Sequence, residues 1–203
     1  MKRLIIIGAS GHGKVIADIA VLNGYKEIVF LDDDEAIKEC AGYPVIAKTT
    51  EAPEGEIIVA IGNAEVRKRI MDYYRLRTFP VLVHPSAVVA QDVLIGNGSV
   101  VMAGTVINSG AKIGEGTIVN TASSIDHDCV VGDFVHVAVG AHLCGTVKVG
   151  ENTWIGAGSI ISNNIEICAN CIIGAGTVVI KNMVEPGTYV GIPAVYIKGG
   201  KNK

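Results

Sequence analysis

Aromatic side chains are scarce in this chain: its 203 residues hold three Phe, one Trp and six Tyr. No apolar run approaches the ~18 residues that a membrane-crossing helix requires. No basic run stands out either, and the formal net charge is only −3. A bilayer span and a nucleic-acid surface are therefore excluded as expectations. The opening MKRLIIIGAS has too short an apolar stretch for a secretory signal and runs into a glycine-rich turn, so it reads as the first strand of a cytoplasmic protein. Cysteine is limited to positions 40, 129, 144, 168 and 171. An odd count without other marks of secretion implies reduced thiols. Cys168 and Cys171 form a C-x-x-C, but no second pair and no βαβ context surrounds them, and they read as two small residues filling repeat positions. What the chain does have is 49% hydrophobic residues and 25 glycines, a balance that favours repetitive β structure with tight corners over a helical bundle.

The strongest signal is a period of six. From Val83 an aliphatic residue recurs at every sixth position through Val89, Ile95 and Val101 to Val179, and all but Leu143 are β-branched. The residue four further on is usually small, as at Ala87, Ser99, Thr105, Cys129 and Thr177. Six is a multiple of two, so the aliphatic residue always meets the same face of a strand. Neither a helix nor a simple meander has this period. Hexads of this kind are a β-helix signature. At three hexads per coil, seventeen repeats make nearly six coils, a prism roughly 27 Å long at a strand spacing of ~4.8 Å.

The first 80 residues have another rhythm. RLIII reads as a buried strand, GASGHG as a turn, KVIADIAVLNGY as a helix and EIVFL as a second strand closing on Asp32, Asp33 and Asp34. PVIA and EIIVAIG are further strands, and NAEVRKRIMDYYRL a second helix. The reading is a small Rossmann-like α/β domain over 1–80, followed by the β-helix over 81–203 with a short C-terminal tail. The turn sets Gly8, Ser10 and Gly13 on a G-x-G-x-x-G frame with Asp32 at the expected distance. Ser10 stands at the central position, where backbone must approach a pyrophosphate. This argues against NAD and leaves a nucleotide or its phosphates at a helix N-terminus.

Residues 83 to 184 resemble the left-handed parallel β-helix of the hexapeptide-repeat acyltransferases, which form trimers with active sites between neighbouring prisms; the left hand is an implication of that resemblance. GASGHG, LDD, AIGN and then N-T-x-x-x-I-x-H-D, from Asn120 to Asp128, resemble the sialic acid O-acetyltransferase group. Within it the chain is most similar to the N-acetyltransferases of UDP-4-amino-4,6-dideoxy sugars, of the UDP-N-acetylbacillosamine pathway. The resemblance implies acetyl-CoA as co-substrate, no metal, a homotrimer and a UDP-linked sugar acceptor. It puts Ser10, Gly11 and His12 at the sugar nucleotide, and Asp32, Asp33 and Gly62 beside the uridine. It makes His127 the general base in an H-D pair with Asp128, sets His136 at the thioester, and lays the pantetheine along Gly145, Ala157 and Ala175.

The residues themselves support part of this. Asp126 and Asp128 flank His127, and a carboxylate orients an imidazole and raises its basicity. The stretch around it lacks lysine and arginine, so it is no ordinary charged face. An imidazole titrating near neutrality suits removal of a proton from an attacking amine, and the activated thioester makes an acyl-enzyme unnecessary. Asn120, seven residues earlier, is a candidate helper. His136 follows by nine residues, half of an eighteen-residue coil, so it projects from another side of the prism; the two histidines could share a site only across a subunit boundary. Three rival readings remain open: O-acetylation of sialic acid or another sugar hydroxyl, a γ-type carbonic anhydrase with zinc between subunits near His136 and His142, and a sugar-nucleotide-binding scaffold without catalysis.

Overall fold

The computed structural model describes residues 2–197; the last six residues of the expected tail lie outside them. The chain opens with β1 (Arg3–Ile7), α1 (Gly11–Leu22), β2 (Glu27–Leu31), β3 (Glu39–Cys40), β4 (Tyr43–Ala47), β5 (Glu56–Val59) and α2 (Ala64–Tyr73). The sheet order is β3-β4-β2-β1-β5, with β4, β2, β1 and β5 parallel. Central strands of such a sheet are covered on both faces, which is why RLIII and EIVFL are unbroken apolar runs and Leu4 to Ile7 are fully buried. The β3–β4 hairpin was not legible in the sequence. The glycine turn has steric reasons: Gly8 sits at φ 111°, and a Cβ on Gly13 would lie 2.3 Å from the Gly8 carbonyl.

Seventeen two-residue strands follow, one every six residues, from β6 (Leu82–Val83) to β22 (Val178–Val179). Each of the first fourteen pairs in parallel with the strand eighteen residues on, as Val101 with Val119 and Val119 with Val137. The result is a parallel β-helix with three flat faces. The first face, β6 with every third strand after it, is extended by β23 (Thr188–Val190) and β24 (Val195–Ile197); the second begins at β7 (Val88–Val89) and the third at β8 (Leu94–Ile95). The aliphatic column fills the interior together with the small residues four positions on, Ala111, Cys129, Ala141 and Cys171 among them. Corners fall where the backbone turns left-handed. Such a residue occurs at every sixth position from Gly98 to Gly176, and where glycine is missing Ala122, Asp128, Phe134, Thr146, Asn152, Asn164 or Asn170 takes it.

Two contacts fix the α/β domain to the prism. Leu82, Val100, Met102 and Ile118 on the first face join one apolar cluster with α1, β1 and β2. On the other side of the sheet, Arg67 of α2 is 1% exposed and donates to four carbonyls. Two belong to its own domain, Ile61 at 2.7 Å and Gly62 at 2.9 Å, and two to prism corners, Gly116 and Phe134, both at 2.6 Å.

Candidate active site

His127 lies on the corner between the second and third faces, just after β13 (Ser124–Ile125). Its side chain is 56% exposed. Three local bonds set the corner. Asp126 Oδ1 accepts the His127 N–H at 2.8 Å and the Asn108 side-chain amide at 2.7 Å. Asp128, at φ 58°, curls back so that its Oδ2 lies 2.9 Å from His127 Nδ1. A short polar side chain tolerates the left-handed region that most residues avoid. The hydrogen bond to Asp128, followed by the charge of Asp126, raises the His127 pKa above the ordinary histidine value. With Nδ1 donating to Asp128, Nε2 is left as the basic nitrogen. One coil on, Gly145 lies against it: a Cβ there would be 2.5 Å from His127 Nε2.

His136 belongs to a different environment. It stands on β15 (His136–Val137) of the first face and is 7% exposed. Asn120 Oδ1 accepts the Thr121 N–H at 2.8 Å, so the Asn120 amide turns its N–H toward His136 Nε2, 3.1 Å away. Nε2 therefore accepts and Nδ1 carries the proton. The Trp154 ring centroid is 4.3 Å from that of His136, and that of His12 is 6.4 Å away. Burial, His12 and Arg67 push His136 down to about 3; burial and Arg67 push His12 down to about 4. Both are neutral at physiological pH. Within one chain, then, Asn120 serves His136 and not His127.

The expected pantetheine wall is also divided. Gly145 shares the His127 corner, whereas Ala157 and Ala175 follow β18 (Trp154–Ile155) and β21 (Ile172–Ile173) at the corner between the first and second faces. There they stack one coil apart, with the Gly176 N–H donating to the Ala157 carbonyl at 2.8 Å.

In the α/β domain, Ser10, Gly11 and His12 form the start of α1. The Ser10 side chain makes no capping bond, which leaves the helix N-terminus open to an anion. Asp32 clasps the turn, accepting the Ala9 N–H at 2.7 Å and the Asp34 N–H at 3.0 Å. Asp33 holds Thr49 through its N–H and hydroxyl and lines a cleft of about 330 Å³ with Ile61, Arg69 and Tyr73. Gly62 does not join the aspartates: it lines a larger cleft of about 510 Å³ with Asn63, Glu65, His136, Asn152 and Trp154. Arg67 and Trp154 escaped the sequence reading. Arg67 lies in an ordinary charged helix pattern, and only the single occurrence of tryptophan could have drawn attention to Trp154. Among the described residues, no group of three or more His, Cys, Asp or Glu is placed to hold a metal ion, and no helix is long and apolar enough to cross a membrane.

Comparison with known proteins agrees with this fold. Residues 3–74 match the family described as PglD N-terminal domain, and residues 146–181 match the bacterial transferase hexapeptide repeat. The chain is 36% identical over 113 residues to a UDP-N-acetylbacillosamine N-acetyltransferase of Bacillus subtilis (strain 168), covering 51% of this chain and 52% of that protein. The chain thus spans about half the length of that curated relative. It is 32% identical over 161 residues to a GDP-perosamine N-acetyltransferase of Escherichia coli O157:H7, covering 72% of each. The solved acetyltransferase domain of PglB from Neisseria gonorrhoeae FA1090, in complex with acetyl coenzyme A, superposes with a TM-score of 0.92 at 40% identity, over 97% of this chain and 99% of that one. The chain belongs to the family of hexapeptide-repeat N-acetyltransferases that carry a PglD-type N-terminal domain.

Proposed function

We propose that this protein transfers the acetyl group of acetyl-CoA to the amine of a nucleotide-linked 4-amino-4,6-dideoxy sugar, with His127 as general base. The observation that carries the reading is the His127 corner: an exposed imidazole whose Nδ1 is tied to Asp128 and whose Nε2 faces a glycine. The His127 Nε2 takes the proton as the sugar amine attacks the thioester carbonyl, and Asp128 steadies the imidazolium that forms. The Gly145 N–H, which makes no hydrogen bond within the described residues, is placed to donate to the developing oxyanion. The acceptor is held by the α/β domain: its phosphates at the open start of α1, with Ser10, Gly11 and His12, and its uridine at Asp32 and Asp33. This is a cytoplasmic reaction, in keeping with five free cysteines among the described residues.

The protein acts as a homotrimer. His127 with Gly145, and His12 with Asn120 and His136, lie on different sides of one prism. The first group meets the second when a neighbouring copy brings its second-to-third-face corner against the first face. The surfaces support this: outward residues of the second face are Val88, Val106, Ser124, His142, Ile160 and Val178, with no lysine or glutamate, whereas the third carries Lys112, Lys148 and Glu166. Ala157 and Ala175 of one prism and Gly145 of the next then flank the same channel, in which the pantetheine lies. The decisive assay supplies UDP-, GDP- and CMP-linked amino sugars with acetyl-CoA and scores released thiol. Turnover of a UDP-linked 4-amino sugar is expected. Thiol release only with a hydroxyl acceptor, or unchanged turnover in His127→Ala, overturns the reading.

A further inference from the structure

The corner that carries His127 is held from the N-terminal side by residues that take no part in the proton transfer. Asp92, Gly110 and Asp128 occupy the same place in three successive coils, on the edge between the second and third faces. Asp92 Oδ2 accepts the Ser109 hydroxyl at 2.8 Å and the Gly110 N–H at 2.9 Å. The Ser109 carbonyl, in the same turn, accepts the Asp128 N–H at 3.1 Å. One carboxylate therefore fixes a turn, and that turn fixes the backbone from which Asp128 projects. The Ser109 hydroxyl, then the Gly110 N–H, hold the Asp92 carboxyl below the usual carboxylate range, so Asp92 is ionised wherever His127 titrates.

Gly110 acts through space. It stands at φ 77°, yet further along the same edge Asp128, Thr146 and Asn164 take the left-handed region at φ 58°, 60° and 60°. The backbone alone does not call for glycine here. A Cβ on Gly110, however, would lie 2.4 Å from Asp128 Oδ1 and 3.3 Å from its Cγ. Oδ1 rests against the bare Cα, and Oδ2 is left aimed at His127 Nδ1, 2.9 Å away. The Asp128 side chain is 63% exposed, and an exposed pair must hold one geometry against side-chain entropy. The glycine seat supplies that restriction. We propose that Asp92 and Gly110 are positioning residues for the acetyl transfer: Asp92 fixes the Ser109–Gly110 turn, and Gly110 seats Asp128 in the orientation that holds His127. The inference rests on His127 as general base and extends its support one and two coils down the prism. The charges that bear on the imidazole are those of Asp128 and Asp126. Asp126 is held separately, by Asn108, and does not answer to Gly110.

The test is a pH–rate series with acetyl-CoA and a UDP-linked 4-amino-4,6-dideoxyhexose. Asparagine tolerates the left-handed region, so Gly110→Asn keeps the corner while its Cβ displaces the exposed Asp128 carboxylate. It is expected to lower kcat about tenfold, within the 10²-fold that a misplacement of ~1 Å can cost. KM for acetyl-CoA should stay unchanged, and the acid limb should move to lower pH as the Asp128 bond to the imidazole is lost. Asp92→Ala should give the same signature more weakly. Asp92→Asn, whose Oδ1 can accept the same two donors, should restore parental behaviour. A double-mutant cycle isolates the route of action. Asp128→Gly removes the carboxylate at a position where glycine is at ease, and adding Gly110→Asn to it should cost nothing further. Losses that add in this cycle, an acid limb that stays in place in Gly110→Asn, or an Asp92→Asn as impaired as Asp92→Ala overturn the positioning role. Unchanged turnover in His127→Ala overturns the general-base reading instead.

Discussion

At the scale of single residues, the His127 corner contains its own controls. The side chain is more than half exposed, so His127→Ala is expected to fold like the parent and to lose roughly 10²- to 10⁴-fold in kcat, the usual worth of a general base. Because Asp128 and Asp126 raise its pKa, the acid limb of the kcat/KM profile should lie above the ordinary histidine value, with activity appearing as His127 deprotonates. Asp128→Asn removes the larger of these causes, so the limb should move to lower pH while the plateau falls; a pH–rate series on both proteins checks this. Gly145→Ala tests the close approach to Nε2. Gly145 is not at positive φ, so the backbone accepts alanine, and the clash at 2.5 Å is with the imidazole alone. Thermal melting should change little, because the ring that must give way is more than half exposed, while kcat drops because the ring is displaced.

At the scale of elements, α2 docks on the prism around one buried cation, with Met71 packed against Phe134 beside it. Arg67 has no carboxylate partner and is solvated by four carbonyls; burial lowers its pKa only to about 10, so it stays charged. Arg67→Met leaves those carbonyls unpaired at about 1–3 kcal/mol for each buried group, and Arg67→Lys cannot reproduce the planar fork. Denaturant unfolding should show both variants destabilised, Met by roughly 3 kcal/mol or more. This junction also marks how far the sequence can be read. The hexads, the parallel strands and the two helices were legible because each obeys a period set by backbone geometry. The His127–Asp128 pair was legible because its members are adjacent in the chain. Arg67 with Phe134, and His12 with His136, were not, because their partners are 67 and more residues apart and no local pattern records such a meeting. Within one chain Asn120 stands beside His136 rather than His127 for a related reason: seven residues along a coil looks near, yet the strand eighteen residues on is the true neighbour, and His136 is carried there by β15.

At the scale of the whole molecule, the two neutral histidines at the domain–prism contact tie stability to pH. Their pKa values of about 4 and about 3 lie below the ordinary 6.5, so the unfolded chain binds protons first. Their contribution is complete above pH 6.5 and is lost as pH falls from there toward 4 and 3. Urea midpoints should fall between pH 7 and pH 4.5, and His136→Asn should flatten that slope. The eighteen-residue register has a further consequence for how such a chain can change its length. A duplicated hexad placed before residue 127 would carry the base to another edge of the prism and abolish function. A duplicated coil would return it to the same edge but lift it by one strand spacing, about 4.8 Å, out of reach of an acceptor clamped by the α/β domain. The same coil inserted after residue 175 would pass unnoticed by the chemistry, so the C-terminal end is where the chain is free to grow.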